Sequence, residues 1–232
     1  MQAAQQQRLL ENLTQIRLRI SDAAARAGRA AEEVRLIAVT KYAAIETAAA
    51  LVELGCHDLG ESRPQQLWQR AEEFADRDVR WHMIGHLQTN KAKRTAPVTS
   101  LLHSGDSLRL LEALSAAAVD RPLPILLEIN ISGDDAKHGI APDDAAKVLD
   151  AAAKLPQLEI QGLMGMAARE GGVDVARRNF AALRELRDSL AKNAPDKVAL
   201  DELSMGMSGD FEAAIAEGAT MVRVGSSLFE GI

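Results

Sequence analysis

Residues 199–230 read ALDELSMGMSGDFEAAIAEGATMVRVGSSLFE, and this stretch decides the fold. Ala199–Ser204 and Thr220–Val224 are short apolar runs of strand character, and Phe211–Glu217 is a helical pattern between them. The same alternation extends toward the N-terminus. Strands are expected near Arg35–Thr40, His57–Leu59, Trp81–Ile84, Leu101–His103, Ile125–Ile131 and Glu159–Met164. Helical patterns separate them at Ile45–Leu54, Pro64–Phe74, Leu108–Ala118, Pro142–Leu155 and Val173–Ala191, with a shorter one after Leu87 that Pro97 ends. Leu9, Leu13, Ile16 and Ile20 share one face of a helix that precedes the first strand. Strands alternating with helices imply a parallel sheet, and about eight such units suit a closed (β/α)8 TIM barrel with an extra N-terminal helix. An open doubly wound α/β sheet is the alternative. No linker or low-complexity tract divides residues 1–232, so one domain is expected.

Composition narrows the function. Lys and Arg total 27 against 33 Asp and Glu, a net charge of −6 without any block of like charge, which argues against a nucleic-acid partner. With 3% aromatic residues, a surface that stacks bases or sugars is not expected. The 47% of hydrophobic residues is enough for a packed core. The start, MQAAQQQRLLENLTQIRLRI, has no uninterrupted apolar run and Cys56 has no partner for a disulfide, so a cytoplasmic protein without a membrane span is expected.

Three segments carry chemistry. LIAVT runs directly into Lys41, which places a lysine at the carboxyl end of a barrel strand, where such barrels keep their active sites. Within an apolar barrel mouth its ammonium form would be disfavoured, freeing an amine for reaction with an aldehyde; the plain alternative is a solvated strand-end lysine. The strand at 199–204 leads through Met205-Gly206-Met207-Ser208-Gly209-Asp210 into a helix, an anion site by its small residues and free N–H groups. Asp210 would compete there for the same helix end. The last strand leads into Gly225-Ser226-Ser227, again in the loops where barrels hold phosphate. Singly, Ser208 is an ordinary helix cap and Gly225-Ser226-Ser227 an ordinary turn. Together with Lys41 they form the constellation that a pyridoxal 5′-phosphate site needs. Arg223, two residues before Gly225, would donate to the pyridine nitrogen and keep it unprotonated; its alternative is a solvated or carboxylate-paired arginine. His57, His82, His86, His103 and His138 are expected to pack or hydrogen-bond rather than to hold a metal, and Cys56 to be a small buried residue.

LIAVTK at 36–41, DLGES at 58–62, WHMIGHLQTNK at 81–91, LLEINISGDDAKHGI at 126–140, IQGLMGMA at 160–167 and the segment from Leu200 to Glu230 span nearly the whole chain. In this order they resemble the pyridoxal phosphate homeostasis protein family, relatives of the alanine racemase barrel domain and therefore of fold-type III. The resemblance implies that Lys41 holds pyridoxal phosphate as a Schiff base, that Ser208, Gly225 and Ser226 hold its phosphate, and that Arg223 meets its ring nitrogen. Where the family usually has Gly-Glu-Asn, this chain has Gly60-Glu61-Ser62, so a hydroxyl stands in for an amide near the cofactor. Position 43 is Ala43 where many relatives have a second lysine, the basic tail of many relatives is not seen after Gly231-Ile232, and Lys137 stands where the family has a lysine. Racemisation needs a base on each face of the substrate, and the related racemases take the second, a tyrosine, from another domain. The single tyrosine here, Tyr42, adjoins Lys41 and is poorly placed to oppose it. The expected function is thus a non-catalytic pyridoxal phosphate carrier in cofactor homeostasis. It would act as a monomer toward the cofactor and cofactor-dependent apoenzymes. A minor amino-acid racemase and a sugar-phosphate barrel with Lys41 as an aldolase-type amine are the alternatives.

Overall fold

The computed structural model describes residues 1–118, 120–134, 138–196 and 198–232. Eight parallel strands form a closed barrel in sequence order: β1 Arg35–Val39, β2 Asp58–Glu61, β3 Arg80–Met83, β4 Leu101–Gly105, β5 Leu123–Ile129, β6 Leu158–Gly165, β7 Glu202–Ser204 and β8 Met221–Val224. The closing ladder pairs Arg35 with Met221 and runs to Ala38 with Val224, which overturns the open-sheet alternative. Helices α1 Ala3–Arg26, α2 Ile45–Glu53, α3 Pro64–Glu73, α4 Ala92–Thr95, α5 Leu108–Ala117, α6 Ala145–Ala152, α7 Gly172–Ala191 and α8 Phe211–Ala216 surround it.

Two elements depart from the sequence expectation. The strand expected at Ala199–Ser204 narrows to three residues: Glu202–Ser204 pair in register with β6, whereas Ala199 makes a single backbone bond to Ile160 of β6 outside that ladder. The segment expected as one helix over Pro142–Leu155 opens as a 3-10 turn at Pro142–Asp144 before α6, where proline sits in the first turn.

Leu9, Leu13, Ile16 and Ile20 of α1 are all buried, as their spacing predicts. This helix braces the end of the chain: Asn12 Nδ2 donates to the carbonyls of Leu228 and Glu230 at 3.1 and 2.9 Å. The guanidinium of Arg19 lies over the Phe211 ring of α8. A small apolar layer of Ile37, Leu101, Leu126, Met164 and Met221 fills the barrel itself, while the larger core lies between barrel and helices. Among the described residues, no helix is long and apolar enough to cross a membrane.

Candidate functional site

Lys41 stands two residues beyond the end of β1, on a turn whose backbone is clamped from below. Arg70 of α3 is buried, and its Nη2 donates to the carbonyls of Thr40 at 3.2 Å and Ala43 at 2.5 Å. Its Nε pairs with Glu61 Oε1 at 3.1 Å, and the same oxygen accepts from the Thr40 hydroxyl at 2.6 Å. Gln66 Nε2 closes the clamp on the Lys41 carbonyl at 3.0 Å. Burial raises the Glu61 pKa, against the pull of Thr40, Arg70 and Lys41. The lysine side chain is half-buried, with Nζ 5.1 Å from the centre of the Tyr42 ring, which is itself 81% exposed. The amine therefore rests on an aromatic face at the rim rather than inside the wholly apolar mouth expected from the sequence.

On the neighbouring strand β8, a turn gathers N–H groups. Ser208 Oγ accepts from the backbone N–H of Gly225 at 3.3 Å and of Ser227 at 3.4 Å. An oxygen is thus held where two backbone donors converge after β8, the arrangement that a phosphate oxygen requires. A Cβ on Gly225 would come within 3.3 Å of both the side chain and the carbonyl of Val39, so only glycine leaves the turn this close to β1. Asp210 caps its own loop instead, with Oδ1 accepting from the Met207 N–H at 2.6 Å. The competition expected at α8 is thus not seen: the carboxylate makes no cap bond to α8, and the convergent donors lie on the β8 side.

A cavity of about 600 Å3 joins the two features, lined by Lys41, Ser208, Arg223, Gly225, Ser226 and Phe229 among others. Arg223 is almost fully buried at its edge. Nη1 donates to the carbonyl and hydroxyl of Ser204 at 2.7 and 2.6 Å, and Nη2 to the Gly165 carbonyl at 3.1 Å. Burial lowers its pKa to about 10, which still leaves the guanidinium charged and donor-only at neutral pH.

The alanine racemase N-terminal domain family matches residues 12–231. The chain is 39% identical, over 95% of its length and 94% of the relative's, to the pyridoxal phosphate homeostasis protein of Pseudomonas aeruginosa. It is 36% identical to that of Aquifex aeolicus over 94% and 96%. The chain belongs to the pyridoxal phosphate homeostasis protein family. PipY of Synechococcus elongatus, solved with PLP bound, superposes with a TM-score of 0.85 at 32% identity over 95% of this chain and 99% of that one. A structure of unknown function from Bifidobacterium adolescentis superposes at 0.91 with 36% identity, covering 99% and 97%.

Within this homeostasis-family barrel, the sequence-predicted residues Lys41, Ser208, Arg223, Gly225 and Ser226 share one cavity. Ser62 does not line it: it follows β2 on the same rim, with its backbone packed against Gly85, where a Cβ would meet the Ser62 carbonyl at 2.3 Å. Lys137 lies outside the described residues. Cys56 is buried, and burial raises its thiol pKa to about 11, which leaves it inert. The histidines all find partners. His86 Nδ1 lies 2.7 Å from Asp106 Oδ2 and its ring stacks on His138 with centroids 4.0 Å apart, so these three groups do converge. Ring stacking and the His86–Asp106 hydrogen bond account for the contacts of this exposed group.

Glu128 is the residue that sequence reasoning missed at the mouth. It follows inward-facing Leu126 by two positions on β5, so it too points into the barrel. Burial, with a smaller push from Asp106, raises its pKa to about 7. The folded chain then binds a proton that the unfolded chain releases between about pH 4.5 and pH 7, so this group's contribution to stability is full below that window and lost as pH rises through it. Glu128→Gln is expected to be about 3 kcal/mol more favourable, relative to the parent, at pH 8 than at pH 4. Urea unfolding at the two pH values measures this difference, and an equal effect at both would refute it.

Proposed function

We propose that this chain binds pyridoxal 5′-phosphate reversibly and acts as a carrier in cofactor homeostasis rather than as an enzyme. One observation carries the reading: a single cavity presents an amine, Lys41 after β1, together with an oxygen held by the converging N–H groups of Gly225 and Ser227 after the neighbouring strand β8. Pyridoxal phosphate supplies an aldehyde that condenses reversibly with an amine, on a ring whose phosphate arm is a dianion. Lys41 is the residue that would condense with it. Ser208, Gly225 and Ser226 would hold the phosphate, and Arg223 would donate to the ring nitrogen. Ser62, on the rim outside the cavity, would reach the cofactor only by moving toward it. The homeostasis relatives and the PLP-bound PipY structure support the same ligand.

The carrier reading rests on what the cavity lacks across from the amine. Among the described residues lining it, the side chains able to take up a proton are Lys41 and Tyr42, since Arg223 stays a guanidinium. Tyr42 lies beside Lys41, under its ammonium, so it offers no second base on the opposite face. On this reading the chain works in the cytoplasm as a monomer, delivering the cofactor to dependent apoenzymes.

Titration with pyridoxal phosphate is expected to give a visible absorption band that borohydride bleaches, with the reduced adduct mapping to the peptide that carries Lys41. No band, or an adduct elsewhere, would refute the binding reading. Exchange of amino-acid α-protons into deuterated water, lost in Lys41→Ala, would replace the carrier with a racemase.

A further inference from the structure

Arg223 is the inner end of a line of buried polar groups crossing the barrel. Ser204 Oγ, which accepts from Arg223, lies 2.8 Å from His103 Nδ1. His103 Nε2 lies 2.9 Å from His82 Nδ1, and His82 Nε2 lies 2.9 Å from Asp58 Oδ1. Asp58 is held in turn by Arg80, at 2.9 Å to Oδ1 and 2.7 Å to Oδ2. These groups come from β8, β7, β4, β3 and β2, and all five are buried.

With both imidazoles neutral, the carboxylate end dictates every proton along the line: Asp58 only accepts, so each histidine donates from Nε2 and accepts at Nδ1. A guanidinium only donates, so the Ser204 hydroxyl accepts from it and keeps its own proton for His103 Nδ1. Neutral His103 then carries its proton on Nε2 and donates to His82 Nδ1. By the same step His82 carries its proton on Nε2 and donates to Asp58. A carboxylate only accepts, so the line terminates there without a frustrated link. Burial lowers the pKa of both histidines, most of all His103, and the hydrogen bonds from Arg80 and His82 hold Asp58 below the usual carboxylate range. Both imidazoles are therefore neutral and the carboxylate charged, as the proton order requires.

We propose that Ser204, His103, His82 and Asp58 are positioning residues that lock the guanidinium of Arg223 through a one-way file of hydrogen bonds, so that its remaining Nε–H and Nη2–H face the cavity. Both protons on Nη1 are spent on Ser204, and one on Nη2 is spent on Gly165. The floor of the file borders a second cavity of about 310 Å3, lined in part by Arg17, His57, Asp58 and Arg80. The role assigned to Arg223 rests on the pyridoxal phosphate reading above, whereas the proton order does not.

The test has two arms. Long-range 15N–1H correlation spectra of the cofactor-free protein are expected to show His82 and His103 neutral between pH 6 and pH 8, each with its proton on Nε2. An Nδ1–H tautomer at His103, or a protonated imidazole at either position at pH 7, would overturn the file. Ser204→Ala removes the donor to His103 Nδ1, so the His103 tautomer is expected to change and pyridoxal phosphate to bind about tenfold more weakly. Unchanged affinity in Ser204→Ala would overturn the positioning role. If the parent takes up no pyridoxal phosphate, the binding reading fails while the imidazole spectra still decide the file. If Ser204→Ala does not fold, the parent spectra decide it alone.

Discussion

Lys41→Ala is expected to abolish covalent capture of pyridoxal phosphate and to weaken its binding by at least about a hundredfold, roughly the 2.7 kcal/mol that separates a retained reversible bond from a phosphate contact alone. Among the described residues lining the cavity, Lys41 is the one primary amine, so nothing adjacent replaces it. The fold has little stake in this side chain. The clamp grips the turn by the backbone carbonyls of Thr40, Lys41 and Ala43, through Arg70 and Gln66, while the Lys41 Nζ lies over the exposed Tyr42 ring. Stability is expected to stay within about 0.5 kcal/mol of the parent. The measurements are the visible band, the borohydride adduct and urea unfolding in one buffer. A variant that keeps band and adduct would place the reactive amine elsewhere. A variant that loses them together with several kcal/mol would make Lys41 structural.

The contrast between legible and illegible parts of the site follows from sequence distance. Lys41 is visible because an apolar run ends on it, and Gly225-Ser226-Ser227 because a strand ends before a glycine and hydroxyls; both signals are local. The barrel itself is visible for the same reason, since each strand and helix declares its own period. His82 and His103 are expected to pack or hydrogen-bond, and they do, but their partners could not be read. Asp58 reaches His82 from the neighbouring strand, but Ser204, with Arg223 behind it, meets His103 only because the sheet closes into a barrel. The usable clue was parity. A strand whose inward positions include Leu101 must also turn His103 inward, and a polar group inside a barrel has to find a partner there. The Arg70–Glu61 clamp is hidden for another reason: nothing local tells an arginine on a surface-type helix that its guanidinium will be buried under the turn that follows β1, two elements earlier in the chain. The Asp210 carboxylate shows the limit of the helix-end argument. Its position predicts a rival for an anion at the helix end, but in the fold it makes no bond to that end, binds its own loop and leaves the β8 donors to another oxygen.

Gly162→Ala is expected to be the most disruptive single methyl in the barrel, costing at least about 3 kcal/mol. On β6 the register with β5 slips between the Ile125–Ile160 and Leu126–Gly162 pairs, and this irregularity brings Gly162 against β7. A Cβ there would lie 1.9 Å from the Glu202 carbonyl oxygen and 2.6 Å from its carbon, both backbone atoms that cannot rotate away. The strand that must yield is the weakest in the sheet. β7 has three residues and meets β8 at one register pair, Ser204 with Met221, supported by the Thr220 hydroxyl accepting from Leu203 N–H at 2.8 Å. Moving β7 moves Ser204, and with it both acceptors that hold Arg223 Nη1. The loss should therefore appear twice, as a lower urea midpoint and, where the variant still folds, as weaker uptake of pyridoxal phosphate. Gly209→Ala is the control, since a Cβ there meets nothing within 4 Å and its stability should match the parent. If Gly162→Ala unfolds within about 1 kcal/mol of the parent, β7 absorbs the methyl without strain, and the coupling between the β6 irregularity and Arg223 is refuted.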